Sequence, residues 1–191
     1  MAEGTLDEVL FKNYMIQDYL YLKDYIQILN KMYEMAEDDE LKDFLAGIIK
    51  DTEYETYSIH VPSLKSLGIS DEDIESCRMG QVIKDYIAYM EKQLEENGIL
   101  AGLTALLQCS WNYAYIARLV SDRYSDKMPE SRYRSWFDAY TSEAYTRSNQ
   151  LWIEMLDKRT EGISNEVADR LCFIFKNCAV YENKLWDFLM G

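Results

Sequence analysis

Cys109 stands in the middle of Leu103 to Ala117, LTALLQCSWNYAYIA, a run with the apolar density of a buried helix. The thiolate of cysteine is a potent nucleophile near neutral pH. Positions four apart stack on one helical face, so Tyr113 shares the side of Cys109. Trp111 and Tyr115 flank that face. A sulfur set among phenol and indole rings suits nucleophilic attack on a flat ligand. It equally suits a buried cysteine packing as a small hydrophobe, and this stretch alone does not separate the two.

Two carboxyl groups lie inside other apolar runs. Asp18 sits within Ile16 to Leu22, with Tyr21 three residues on, and Glu182 falls among Val180, Tyr181, Leu185, Trp186 and Leu189. An acid so placed either faces solvent or does proton work from a buried position. His60, the one histidine, lies beside Pro62 and reads as a hydrogen-bonded structural residue. A single histidine excludes a His-rich metal site, and any Cys-His or Ser-His dyad would have to use it. No GxGxxG or GxxxxGK loop is present to cradle phosphates.

Composition narrows the partners. The formal net charge of −14 opposes binding to nucleic acid or to anionic lipid. The four cysteines, Cys77, Cys109, Cys172 and Cys178, form no CxxC pair. No signal peptide is recognised at the start, and no apolar run is long enough to span a bilayer. A reducing, cytoplasmic setting is expected. Hydrophobic residues make up 48% of 191, enough for one domain over 1–191 with a sizeable core. Sixteen tyrosines suit a polar aromatic cavity and equally an ordinary helical core.

The elements that must position these groups read as helices. Only eight glycines and two prolines interrupt the chain, which implies long helices and short loops. Apolar residues at steps of three and four predict helices from Leu6 to about Ala36, Leu41 to Ile59, Gly80 to Glu96, Ile99 to Tyr124, Ser131 to Lys158 and Asn165 to Met190. Ser70 to Cys77 predicts a short capped piece. Asp39 is the expected cap of the second helix and Ser164 that of the last. Pro62 is expected to disturb the chain, and Asn97-Gly98 and Gly162 to stop helices. Tyr133, Trp136, Phe137 and Tyr140 form an aromatic stripe that suits a core. The expected architecture is all-α, five long helices and one or two short pieces around one core.

Several strings taken together resemble the TenA family, also called thiaminase II or aminopyrimidine aminohydrolase. They are Gly4-Thr5-Leu6, the run Tyr14 to Leu22, the run Ala105 to Tyr113, Tyr133 with Trp136 and Tyr140, and Tyr181-Glu182 with Trp186. They occur in family order from one end of the chain to the other. The resemblance implies a haem-oxygenase-like helical bundle, usually a homotetramer, needing no metal or haem. It implies hydrolysis of 4-amino-5-aminomethyl-2-methylpyrimidine, or of thiamin, to the hydroxymethylpyrimidine. By the same resemblance Cys109 is the nucleophile, Asp18 contacts the aminopyrimidine ring and Glu182 lies near the leaving group. Tyr21, Tyr86, Tyr113 and Tyr140 become pocket tyrosines that sandwich the ring or bond near the thiol. Two departures stand out. The family's helix before the Gly4 string is expected to be lacking from this chain, its wall missing or supplied by a neighbour. Leu185 stands where a phenylalanine usually precedes the tryptophan, which predicts a looser pocket or an altered preference. The alternative expectation is a catalytically weak relative that binds another small aromatic ligand.

Overall fold

The computed structural model describes residues 1–191 as nine α-helices, one π turn and one 3-10 turn, with no strand. The helices are α1 (Glu8–Met35), α2 (Asp39–Tyr54), α3 (Val61–Ser66), α4 (Asp71–Ser76), α5 (Gln81–Asn97), α6 (Ile99–Arg123), α7 (Arg134–Tyr140), α8 (Glu143–Arg159) and α9 (Asn165–Met190). The π turn is Glu55–His60 and the 3-10 turn Met128–Glu130. Six helices have sixteen or more residues.

The middle of the bundle is α6. Every residue from Ala101 to Cys109 is buried, as a helix surrounded on all sides requires. It packs against α1, α5, α7, α8 and α9. Its outer end differs: Trp111 and Tyr115 are 36% and 52% exposed and stack on each other, ring centroids 5.2 Å apart. They do not flank the thiol's cavity as the sequence suggested. On α6 the face of Cys109 continues through Tyr113 and Ala117, which turns these two rings outward.

Local chemistry sets the ends. Asp7, Asp38, Ser70, Ser142 and Ser164 each accept a backbone N–H at a helix start. The cap of α2 is therefore Asp38, whose Oδ1 reaches Leu41 N at 2.9 Å, and Asp39 is already helical. The single helix expected from Ser131 to Lys158 is corrected. It is two helices, because Ser142 takes the Tyr145 N–H at 3.2 Å and restarts the chain after Tyr140. The second expected helix also changes. After Tyr54 the backbone widens into the π turn, then resumes as α3. Pro62 sits in the first turn of α3, where its missing N–H is tolerated. Between α5 and α6 only Gly98 intervenes, at φ 79°, a left-handed conformation that favours glycine.

One cluster of forty buried residues forms the core. Gln17, next to Asp18 on α1, ties down the stretch before α5: its Oε1 accepts from Gly80 N at 2.8 Å and its Nε2 donates to Arg78 O at 3.1 Å. The N-terminal lead is fastened to the segment before α7, with Ser131 Oγ donating to Met1 O and Tyr133 OH to Leu6 O, both at 2.8 Å.

At Gly102 side chains of α5 and α1 press close to the α6 backbone. A Cβ there would lie 2.9 Å from Leu94 Cδ1 and 3.2 Å from Met32 Sδ. Gly102→Val is expected to lower the urea-unfolding free energy by about 1–3 kcal/mol, the usual cost of overpacking.

Candidate active site

Four elements deliver the polar groups of the interior. Cys109 comes from α6, Glu182 from α9, Asp18 from α1 and His60 from the π turn, and all four are buried. Cys109 has Glu182 and Tyr21 among the side chains that surround its thiol. Burial, then the neighbouring Glu182 carboxylate, pushes the thiol well above its ordinary pKa. At rest the group is therefore a neutral thiol. Burial also raises Glu182, to about 7, while hydrogen bonds with Cys109 and Tyr86 oppose the rise and the charge of Asp18 adds to it. Glu182 Oε2 is buried with no hydrogen-bond partner.

Asp18 is tied on one oxygen only. Its Oδ2 takes His60 Nε2 at 2.7 Å and the Tyr14 hydroxyl at 3.3 Å. Tyr14 in turn accepts from Trp136 Nε1 at 2.9 Å. Tyr140 OH donates to Glu55 Oε1 at 3.3 Å, which brings a third carboxyl group to this side. Burial raises the pKa of Glu55, opposed by the neighbouring His60. Burial would lower His60, but its bond to Asp18 and the two acidic neighbours outweigh that and hold it at about 9.

Aromatic rings close the walls. On one side Tyr21, Tyr86 and Tyr181 form a stack, with Tyr86 5.7 Å from Tyr21 and 5.3 Å from Tyr181, the last pair within 2° of parallel. On the other side Tyr14 stacks on Trp186 at 5.3 Å, and Tyr113 lies 5.0 Å from Tyr140 and 6.0 Å from Trp136. Tyr86 OH donates to Gln108 Oε1 at 3.2 Å. A surface recess of about 410 Å³, lined by Tyr89, Lys92, Tyr181 and Lys184, adjoins the first wall from outside.

All seven residues singled out in the sequence, Cys109, Asp18, Glu182, Tyr21, Tyr86, Tyr113 and Tyr140, thus fall in one buried cluster. Glu55, Tyr14, Trp136 and the partnership of His60 with Asp18 were missed. Tyr14 lies one turn before Asp18, so helical spacing could have found it. Nothing in the spacing of Asp18 and His60, forty-two residues apart, signals their contact. Leu185, the departure before Trp186, is buried in the core.

An all-α bundle with a thiol and two acids at its centre defines the class, and comparison with known proteins agrees. The family model described as TENA/THI-4/PQQC matches residues 1–191, and the chain belongs to that family. It is 27% identical to the aminopyrimidine aminohydrolase of Halalkalibacterium halodurans over 98% of this chain and 83% of that protein. It is also 27% identical to that of Helicobacter pylori, over 98% and 86%. The solved structure of a TenA homologue from P. horikoshii superposes with a TM-score of 0.86 at 27% identity, covering 98% of this chain and 85% of that one. The fold is the all-α haem-oxygenase-like bundle.

The raised pKa of Glu182 has a thermodynamic consequence. The folded protein holds this proton between pH 4.5 and about 7 while the unfolded chain releases it. Stability must therefore fall as pH rises through that window and level off above it. Urea unfolding should show wild type losing about 3 kcal/mol more than Glu182→Gln across the window.

Proposed function

We propose that the protein hydrolyses the exocyclic C–N bond of 4-amino-5-aminomethyl-2-methylpyrimidine, and of thiamin, in thiamin salvage. The observation that carries this proposal is the burial of the Cys109 thiol and the Glu182 carboxyl as neighbours among aromatic rings, with Asp18 near enough to act on both. Family membership and the names of the relatives from H. halodurans and H. pylori support the same reaction class.

The chemistry follows from the resting states. A buried neutral thiol cannot attack until it loses a proton, and Glu182, ionised in about half the molecules near pH 7, is the group in reach. As Cys109 sulfur adds to a ring carbon, its proton passes to Glu182 and the ring loses aromaticity. Asp18 hydrogen-bonds the nitrogen edge, so that the ring can take up the electron pair. Return of that pair expels the exocyclic amine, which takes the proton from Glu182 and departs as ammonia. Water then adds to the exocyclic carbon and gives its proton to Glu182. The sulfur leaves and recovers that proton, which restores the thiol. Covalent addition in this way divides one difficult displacement into easier steps. Tyr21, Tyr86, Tyr113 and Tyr140 orient the flat ring and keep bulk water out. With thiamin the group expelled is the thiazole in place of ammonia.

We further propose a cytoplasmic homo-oligomer, a tetramer by family resemblance. Trp111, Tyr115 and Leu119, exposed along α6, supply apolar surface for a second copy. No helix is long and apolar enough to cross a membrane.

Ammonia release from the aminomethylpyrimidine tests the reaction directly. Cys109→Ser should lose turnover by at least about a thousandfold and retain product binding. Glu182→Gln should slow turnover by about 10²–10⁴-fold with a much smaller loss of binding. Asp18→Asn should weaken both together. Binding without ammonia release, equal in wild type and Cys109→Ser, would instead favour a ligand-binding relative.

A further inference from the structure

His60 has a hydrogen-bond acceptor at each ring nitrogen. Nδ1 lies 3.1 Å from the Glu55 carbonyl oxygen, which can only accept, so Nδ1 carries a hydrogen. Nε2 lies 2.7 Å from Asp18 Oδ2. With Asp18 ionised, both nitrogens donate only if the ring is an imidazolium. The pair is enclosed, and a lone charge there would be costly, so each ion requires the other. The groups that face it are Asp18 and Tyr14 from α1, Glu55 on its own turn, and Tyr140 of α7 through Glu55.

The hydrogen bonds of Asp18 within the protein all fall on Oδ2. Oδ1 takes no hydrogen bond from the protein. We propose that His60 is a positioning residue: anchored by the Glu55 carbonyl, its imidazolium keeps Asp18 a carboxylate whose Oδ1 accepts only, and the site thereby selects rings that present N–H donors, such as a 4-aminopyrimidine, over rings that present a carbonyl. This rests on the aminopyrimidine reading above and extends it to a residue that touches no substrate. A protonated Asp18 could donate to a 4-oxo ring. The imidazolium behind it opposes that form below about pH 9 and leaves any shared proton on the ligand, where it makes the ring a better electron acceptor. The π turn is the device that allows the arrangement, because its wider winding sets the His60 ring against the carbonyl five residues back.

The chain's single histidine makes the test unambiguous. Imidazole NMR of isotope-labelled wild type should show one titration with a midpoint near pH 9, moved down by at least about one unit in Asp18→Asn. A midpoint at or below the ordinary 6.5, or one unmoved by Asp18→Asn, overturns the proposal. Calorimetry with 4-amino-5-hydroxymethyl-2-methylpyrimidine and its 4-oxo counterpart supplies the second readout. Wild type should prefer the amino ring, and His60→Gln should shrink that preference at least about tenfold, the weight of one charged hydrogen bond. An unchanged preference in a folded His60→Gln protein overturns the selective role. If that variant does not fold, the titrations of wild type and Asp18→Asn decide alone. Wild type that binds neither ring, with His60 still titrating high, overturns the aminopyrimidine reading and the selectivity with it, while the buried ion pair stands.

Discussion

Three carboxyl groups, an imidazole and a thiol share the interior of this bundle, and a low-dielectric interior tolerates charge only in compensated form. That constraint organises the site. Asp18 is compensated by His60, and Glu55 is held by Tyr140 next to that pair. Glu182 has no cation beside it. It settles the matter by taking up a proton more readily, and so its ionisation lies near neutrality. The thiol has no cation either, and it stays neutral. One acid is thus paired with an imidazole while another has no such partner and is free to change state near neutrality. The difference between the two acids follows from where a single histidine is placed.

The aromatic walls serve the same end. Rings bury large areas without adding charge, and a phenol offers a hydroxyl where one is wanted. Tyr14 and Tyr140 donate to carboxylates, Tyr86 donates to Gln108, and Tyr25 donates to the Leu106 carbonyl at 3.0 Å. Seven tyrosines around the thiol, Tyr14, Tyr21, Tyr25, Tyr86, Tyr113, Tyr140 and Tyr145, are held far above their normal ionisation, first of all by burial. They therefore remain neutral phenols near physiological pH.

Much of this was legible because helices advertise their buried faces. The periodicity of α1, α5 and α6 put Tyr21, Tyr86 and Cys109 on apolar faces, and the family resemblance added Asp18 and Glu182. What escaped was whatever depends on contact between distant segments or on one hydrogen bond out of register. His60 read as structural because its own neighbourhood offers no acid partner of the right geometry; Asp18 arrives from another helix. The break at Ser142 escaped because the aromatic stripe runs on through it, and only the serine's bond to Tyr145 N reveals the restart. Trp111 misled for the opposite reason: proximity in sequence to Cys109 was taken as proximity in space, although two residues along a helix turn a side chain by roughly 200°.

The widened turn at Glu55–His60 carries one further consequence. A π turn is an α-helix that has accepted an additional residue. Deleting any one residue of this short span would let regular winding return and rotate whatever follows by roughly 100°. The imidazole would swing away from its aspartate, although no residue of the chamber itself had been altered. Homologues free to vary in loop length should therefore conserve the residue count across this span more strictly than its composition, since here the register is the functional quantity.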